Sequence, residues 1–181
     1  MIPMNTTDHK DDQDTIVFQI SQLDDLSMEN RHHAVLKLAD GGEAVVEPLI
    51  DSLAEVRDND RRWYRAIALA KVGVPAISPL ILAMEKNQEH EFRRYAAAAL
   101  GEVGEPAIEP IISAMASEDR ELRGFLSRAL CRIGKPAVEP LTRHLSDANE
   151  ILRSCATLTL WQMGETGLPS LVEQIFDKKE P

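Results

Sequence analysis

The sequence predicts an all-α fold built from about five stacked helix pairs closed by one further helix. Three observations carry that expectation. Glycines Gly42, Gly73, Gly104, Gly134 and Gly164 recur at steps of 31, 31, 30 and 30 residues, and Pro48, Pro79, Pro110 and Pro140 keep the same steps, as do Arg31, Arg62, Arg93, Arg123 and Arg153. Apolar residues between these markers fall on one helical face, as in Ile77, Leu80, Ile81 and Met84, or Ile108, Ile111, Ile112 and Met115. No alternating β-branched or aromatic run bounded by turn residues is present.

In chain order, residues 1–14, MIPMNTTDHKDDQD, lack periodicity and read as a disordered acidic tail, leaving 15–181 as one repeat domain. Helix pairs are expected at 15–26/30–39, 44–56/61–72, 75–86/91–102, 106–116/120–132 and 136–146/150–163, with a last helix at 167–177. The phrases GVPAISPL, GEPAIEPI and GKPAVEPL join one pair to the next. Their glycine suits a left-handed helix stop, and the first proline suits the start of a helix, where no backbone donor is needed. The second proline lies a turn inside and predicts a bend.

The second helix of each pair starts near the periodic arginine. Six residues before that arginine stand Asp25, Asn87, Ser117 and Asp147, read as helix caps, with Val56 in the Arg62 repeat. The arginines themselves are expected to tie loops of adjacent repeats together. Counting the arginine as zero, positions −1, +3, +4 and +7 form the core stripe, as in Phe92, Ala96, Ala97 and Leu100. Position +8 is small in Ala39, Ala70, Gly101 and Cys131, which suits close approach of a following helix; Trp161 there predicts a change of stacking partner.

This pattern resembles the HEAT repeat, and more closely its short variety named after the phycobilin lyases; PAIEPIISAMASEDRELRGFLSRAL carries the likeness. The resemblance covers roughly residues 15–177. It implies a right-handed α-α superhelix, a HEAT-like solenoid of the armadillo-like helical class, with first helices on a convex side and second helices lining a concave one.

Composition narrows the function. The chain has 181 residues, 44% apolar and 28% charged, with no apolar run near the length of a membrane span and no signal-like start. A cytoplasmic protein is the expectation. A net charge of −10 argues against generic nucleic-acid binding. Cys131 and Cys155 sit in helical patterns away from any metal-ligand spacing and read as reduced thiols.

The same resemblance brings two enzyme families into view. Deoxyhypusine hydroxylase holds iron with His-Glu pairs that follow the arginine-like position; the corresponding pairs here are His32-His33, Trp63-Tyr64, Arg94-Tyr95, Gly124-Phe125 and Ser154-Cys155. The one His-Glu pair, His90-Glu91, falls before Arg93 and out of that register. Phycobilin lyases share the repeat without a transferable catalytic signature. Phosphate-loop, nucleophile-elbow, dinucleotide and zinc-protease motifs are absent. The expectation is a chain without catalytic residue, cofactor or metal; the alternatives are a subunit of a phycobilin-lyase-like enzyme or other small-ligand module, and nucleic-acid binding.

What the core does not need lies on the second helices. Position +2 reads His33, Tyr64, Tyr95, Phe125 and Cys155, and position +1 adds His32, Trp63 and Arg94. With two Trp, two Tyr and four Phe in the chain, four of them in these outward columns predict an aromatic ridge. The second-helix segments carry 12 basic residues and 3 acidic ones, so an acidic protein has a mildly basic inner face. Trp63, Tyr64, Arg94, Tyr95, Phe125, Arg128 and His33 are therefore the expected contacts for an acidic segment or helix of a protein partner, the chain acting as a scaffold.

Overall fold

The computed structural model describes residues 6–177. Eleven α-helices and no strand occur among the described residues. They are α1 (Thr6–Ser21), α2 (Met28–Asp40), α3 (Val46–Glu55), α4 (Asn59–Val72), α5 (Val74–Lys86), α6 (His90–Val103), α7 (Ile108–Ala114), α8 (Arg120–Ile133), α9 (Val138–Arg143), α10 (Glu150–Gln162) and α11 (Leu168–Asp177). The helix pairs follow the expected order. The start of α1 lies upstream of residue 15 because helix formation there precedes the apolar periodicity; of the expected tail, residues 1–5 fall outside the described residues.

The chain divides into two compact units, one ending at Pro79 and the other beginning at Leu80, with the boundary inside α5. In the first unit α2 packs against α4 and α3 against α4; in the second α6 packs on α8, and α8 and α9 on α10. The predicted core stripes are buried in each: Leu38, Leu49, Leu53 and Leu69 in the first unit, and Leu80, Met84, Phe92, Ala96, Leu100, Ile111, Leu126 and Leu130 in the second. Burial of such side chains is the main favourable term, each worth roughly 1.5–3 kcal/mol.

The glycine joints differ from the expected left-handed stop. Gly73, Gly104 and Gly134 have φ near +80° but ψ between −131° and −142°, the mirror image of an extended residue, which only glycine enters freely. Pro106 and Pro136 then sit in short 3₁₀ turns, Glu105–Ala107 and Lys135–Ala137, which open α7 and α9, while α5 runs through Pro79 as one helix. The second prolines, where a bend is expected, lie within helices: Pro79 in α5, Pro110 in α7 and Pro140 in α9.

The same two repeats each lack one residue, and its place is visible. Arginine and glycine are always 11 residues apart, whereas proline to arginine is 14 in the Arg62 and Arg93 repeats and 13 in the Arg123 and Arg153 repeats. In the longer repeats the first helix ends on i−4 bonds, Val56 to Ser52 and Asn87 to Ala83; in the shorter ones it ends on i−3 bonds, Ser117 to Ala114 and Asp147 to His144. A 3₁₀ turn rises about 2.0 Å per residue against about 1.5 Å in an α-helix, so tightening the last turn spans nearly the same length with one residue fewer.

Candidate protein-interaction face

The periodic arginines are the joints of the repeat. Arg62 Nε donates to Val56 O at 2.8 Å, Arg93 Nε to Asn87 O at 3.0 Å and Met84 O at 2.9 Å, Arg123 Nη1 to Ser117 O at 2.6 Å and Arg153 Nη1 to Asp147 O at 2.5 Å. In each case the acceptor is the main-chain carbonyl six residues upstream, so Val56 serves as well as a polar residue. The side chains at that place do something else. Asp25, Asn87, Ser117 and Asp147 each accept from the backbone N–H two residues on, forming Asx- or Ser-type turns, and the helix caps stand at those next positions: Ser27, Asp119 and Asn149, with Asp58 in the Arg62 repeat. Sequence reasoning placed the cap two residues early.

Arginine also links neighbouring repeats, as expected. Arg93 Nη2 donates to Asp119 Oδ2 at 2.6 Å, reaching from α6 to the cap of α8, and Arg31 pairs with Asp60 across α2 and α4. Asp119 also accepts from the backbone N–H groups of Leu122 and Glu121. The Leu122 amide, then Arg93, hold its carboxyl below the usual aspartate range.

On the outward columns of the first unit, Trp63 and His33 are exposed and Tyr64 is half-buried, with the Arg31 guanidinium 4.4 Å from its ring centroid. Arg65 departs from the expected basic face: it is buried and bonded through both terminal nitrogens to Asp24, which also lies 3.8 Å from Arg61.

In the second unit, Arg94 is exposed, stacks 4.7 Å from the Tyr95 centroid and pairs with Glu91 at 2.6 Å. Phe125 corrects the picture of an outward ridge. It is only 2% exposed, because the His90 ring meets it edge-on at 5.1 Å and Arg128 lies 5.2 Å over its face. Cys155, one repeat further, is buried as well. Position +2 points the right way, but the neighbouring helix start covers it. Arg132 is spent on Glu102. Arg128 and Arg120 form no ion pair among the described residues, and sequence reasoning passed over Arg120 because it lies just before the segment counted.

Three cavities flank α8. One of about 140 Å³ lies toward α6 between Arg94, Ala98 and Arg128; one of about 420 Å³ lies over Gly124 between Arg120, Arg128, His90 and Phe125; one of about 460 Å³ lies toward α10, with Met115, Cys155 and Thr159 among its walls. Behind the last, Thr159 and Ser127 bond at 2.9 Å and Ser127 donates to Gln162 at 2.9 Å, so these buried hydroxyls are satisfied. Burial pushes the Cys155 and Cys131 thiols up. His90 Nδ1 lies 3.2 Å from Glu91 Oε1, and no group of three His, Cys, Asp or Glu at metal-binding spacing occurs among the described residues. None of the helices among those residues is long and apolar enough to cross a membrane.

Helix pairs with this arginine and glycine grammar are those of helical repeat proteins, and residues 77–158 match the family described as HEAT repeats. Residues 77–158 are thus similar to HEAT repeats, and the described residues as a whole form an all-α fold. The match gives the repeat, without the phycobilin-lyase variety. Among solved structures, an engineered protein is 18% identical over 88% of this chain and 84% of its own, with a TM-score of 0.33. A designed armadillo repeat protein is 18% identical over 86% of this chain and 90% of its own, with a TM-score of 0.32. No curated protein matches the chain.

Proposed function

We propose that the chain is a non-catalytic interaction scaffold whose second helices hold an acidic segment of a protein partner. In the first unit the contacts are His33, Trp63 and Tyr64; in the second they are Arg94, Tyr95 and Arg128, with Phe125 as an apolar floor. One observation carries the reading: Arg128, which forms no ion pair among the described residues, is held over an aromatic ring at the edge of two cavities. A guanidinium fixed on a ring keeps its donors aimed outward and loses little freedom on binding, which suits carboxylate recognition. Exposed Trp, Tyr and Arg are also the residue types whose truncation most often costs an interface about 2 kcal/mol or more.

The test is capture from the source cell with immobilised protein and with a Tyr95→Ala/Arg128→Gln variant of unchanged helicity. A partner retained by the first and lost by the second is expected. Equal retention by both sinks the reading, as does retention of nucleic acid instead of protein.

A further inference from the structure

The second turn of α8 holds a glycine that no close contact requires. Gly124 is the fifth residue of a helix that spans Arg120–Ile133, its φ is not positive, and a Cβ built on it meets nothing within 4 Å. Glycine is among the weakest helix formers, so this position gives up stability. The contrast with Gly101 is direct. That helical glycine is pressed by Arg132, whose Cδ would lie 2.7 Å from an added Cβ. Gly101 is accounted for by packing, and Gly124 is accounted for only by the open space above it. Local rules are broken most often where a site needs it.

That space is the cavity of about 420 Å³ bounded by Arg120, Arg128, His90 and Phe125. Arg120, Gly124 and Arg128 stand at i, i+4 and i+8 on one stripe of the helix, about 6 Å apart along its axis and about 12 Å end to end. Neither arginine has an ion-pair partner among the described residues. Glu121 also borders the cavity, and it lies 3.6 Å from Arg93, which draws its charge toward the neighbouring helix. The seat therefore has an arginine at either end and the bare backbone of Gly124 between them.

We infer that this cavity seats an extended peptide segment of the pattern acidic-x-apolar-x-acidic, its carboxylates on Arg120 and Arg128 and its apolar side chain over the bare backbone of Gly124. The spacing selects that pattern. In an extended chain residues i, i+2 and i+4 share a face at about 6.6 Å intervals, close to the stripe on α8. The inference rests on the scaffold reading and supplies the chemistry of its partner.

The probe is the synthetic peptide Ser-Glu-Ser-Leu-Ser-Glu-Ser, titrated onto the full chain by calorimetry beside an isomer with the two Glu adjacent. The expected result is saturable binding of the first, at least tenfold weaker binding of the second, and a tenfold or greater loss with Gly124→Leu, whose side chain fills the seat. Arg120→Gln and Arg128→Gln each weaken binding and flatten its salt dependence. Gly124→Ala raises the thermal midpoint by about 2–4 °C, a readout independent of any ligand. Equal binding of both peptides, unchanged binding to Gly124→Leu, or a lowered midpoint for Gly124→Ala overturns the inference. Self-association of the chain that Gly124→Leu abolishes overturns it too, making a second copy the occupant. Partner capture that depends on Tyr95 and Arg128 while the peptide fails would leave the scaffold reading standing and remove this seat alone.

Discussion

At the scale of single residues, Asp119 does the most with the least. Its carboxylate caps α8, fixes the turn into it, and neutralises the buried Arg93 guanidinium, which is 1% exposed. Asp119→Ala is expected to cost about 2 kcal/mol, since a lost cap alone costs about 1 kcal/mol and the buried Arg93 loses its nearest carboxylate, keeping only the more distant Glu121. Asp119→Asn keeps the cap and loses the ion pair, so it should fall between the two by chemical denaturation. The pH dependence has a definite sign. The folded carboxyl titrates below its unfolded value, so the stabilisation is complete above the ordinary aspartate range and is lost as pH falls through the folded pKa. Asp119→Asn should accordingly flatten the acid limb of stability below about pH 4. The sequence showed this residue as a polar loop position and no more, because a spacing gives direction around a helix axis and not which amide or guanidinium will meet the side chain. Phe125 fails for the same reason: its outward direction was legible, and the His90 ring that covers it was not.

At the scale of elements, the glycine joint decides how one pair leads into the next. Gly104 has φ +83° and ψ −142°, a region that costs a side chain of order 1–3 kcal/mol. Gly104→Ala should therefore lower the unfolding midpoint, whereas the same change at Gly124 should raise it. Two identical substitutions of opposite sign, measured by thermal melts, separate backbone strain from empty space. Helix order, core stripes and joints were all readable from the 30- and 31-residue steps, since burial against a neighbour imposes the helical period on every repeat. The mirror-extended form of the joint was not, because a glycine in the sequence signals positive φ without specifying ψ.

At the scale of the whole molecule, the proposed acidic partner would meet a chain of net charge −10 through Arg120 and Arg128, which form no ion pair among the described residues. Overall repulsion should slow such a partner while the local contacts retain it, so binding of the acidic peptide should weaken as salt rises above the screening range of about 0.1 M. A labelled DNA duplex at about 0.15 M salt should not be retained, since few phosphate contacts are offered against that net charge. The division of the chain at Pro79 and Leu80 left no trace in composition, because it falls inside α5, where the repeat continues unbroken.

The i−3 closure of the shorter repeats has a consequence for how this chain can change length. Because the periodic arginine docks on a main-chain oxygen, altering a loop side chain leaves the dock in place; altering the count between oxygen and arginine does not. The end of each first helix is where the chain has slack. Deleting Lys86 should convert the α-type ending of α5 into the tighter one seen at Ser117 and leave a cooperative melt, while inserting one residue after Phe92 should throw the rest of α6 out of phase and abolish it. Gain and loss of residues can thus accumulate at one kind of joint without moving the arginine from its oxygen.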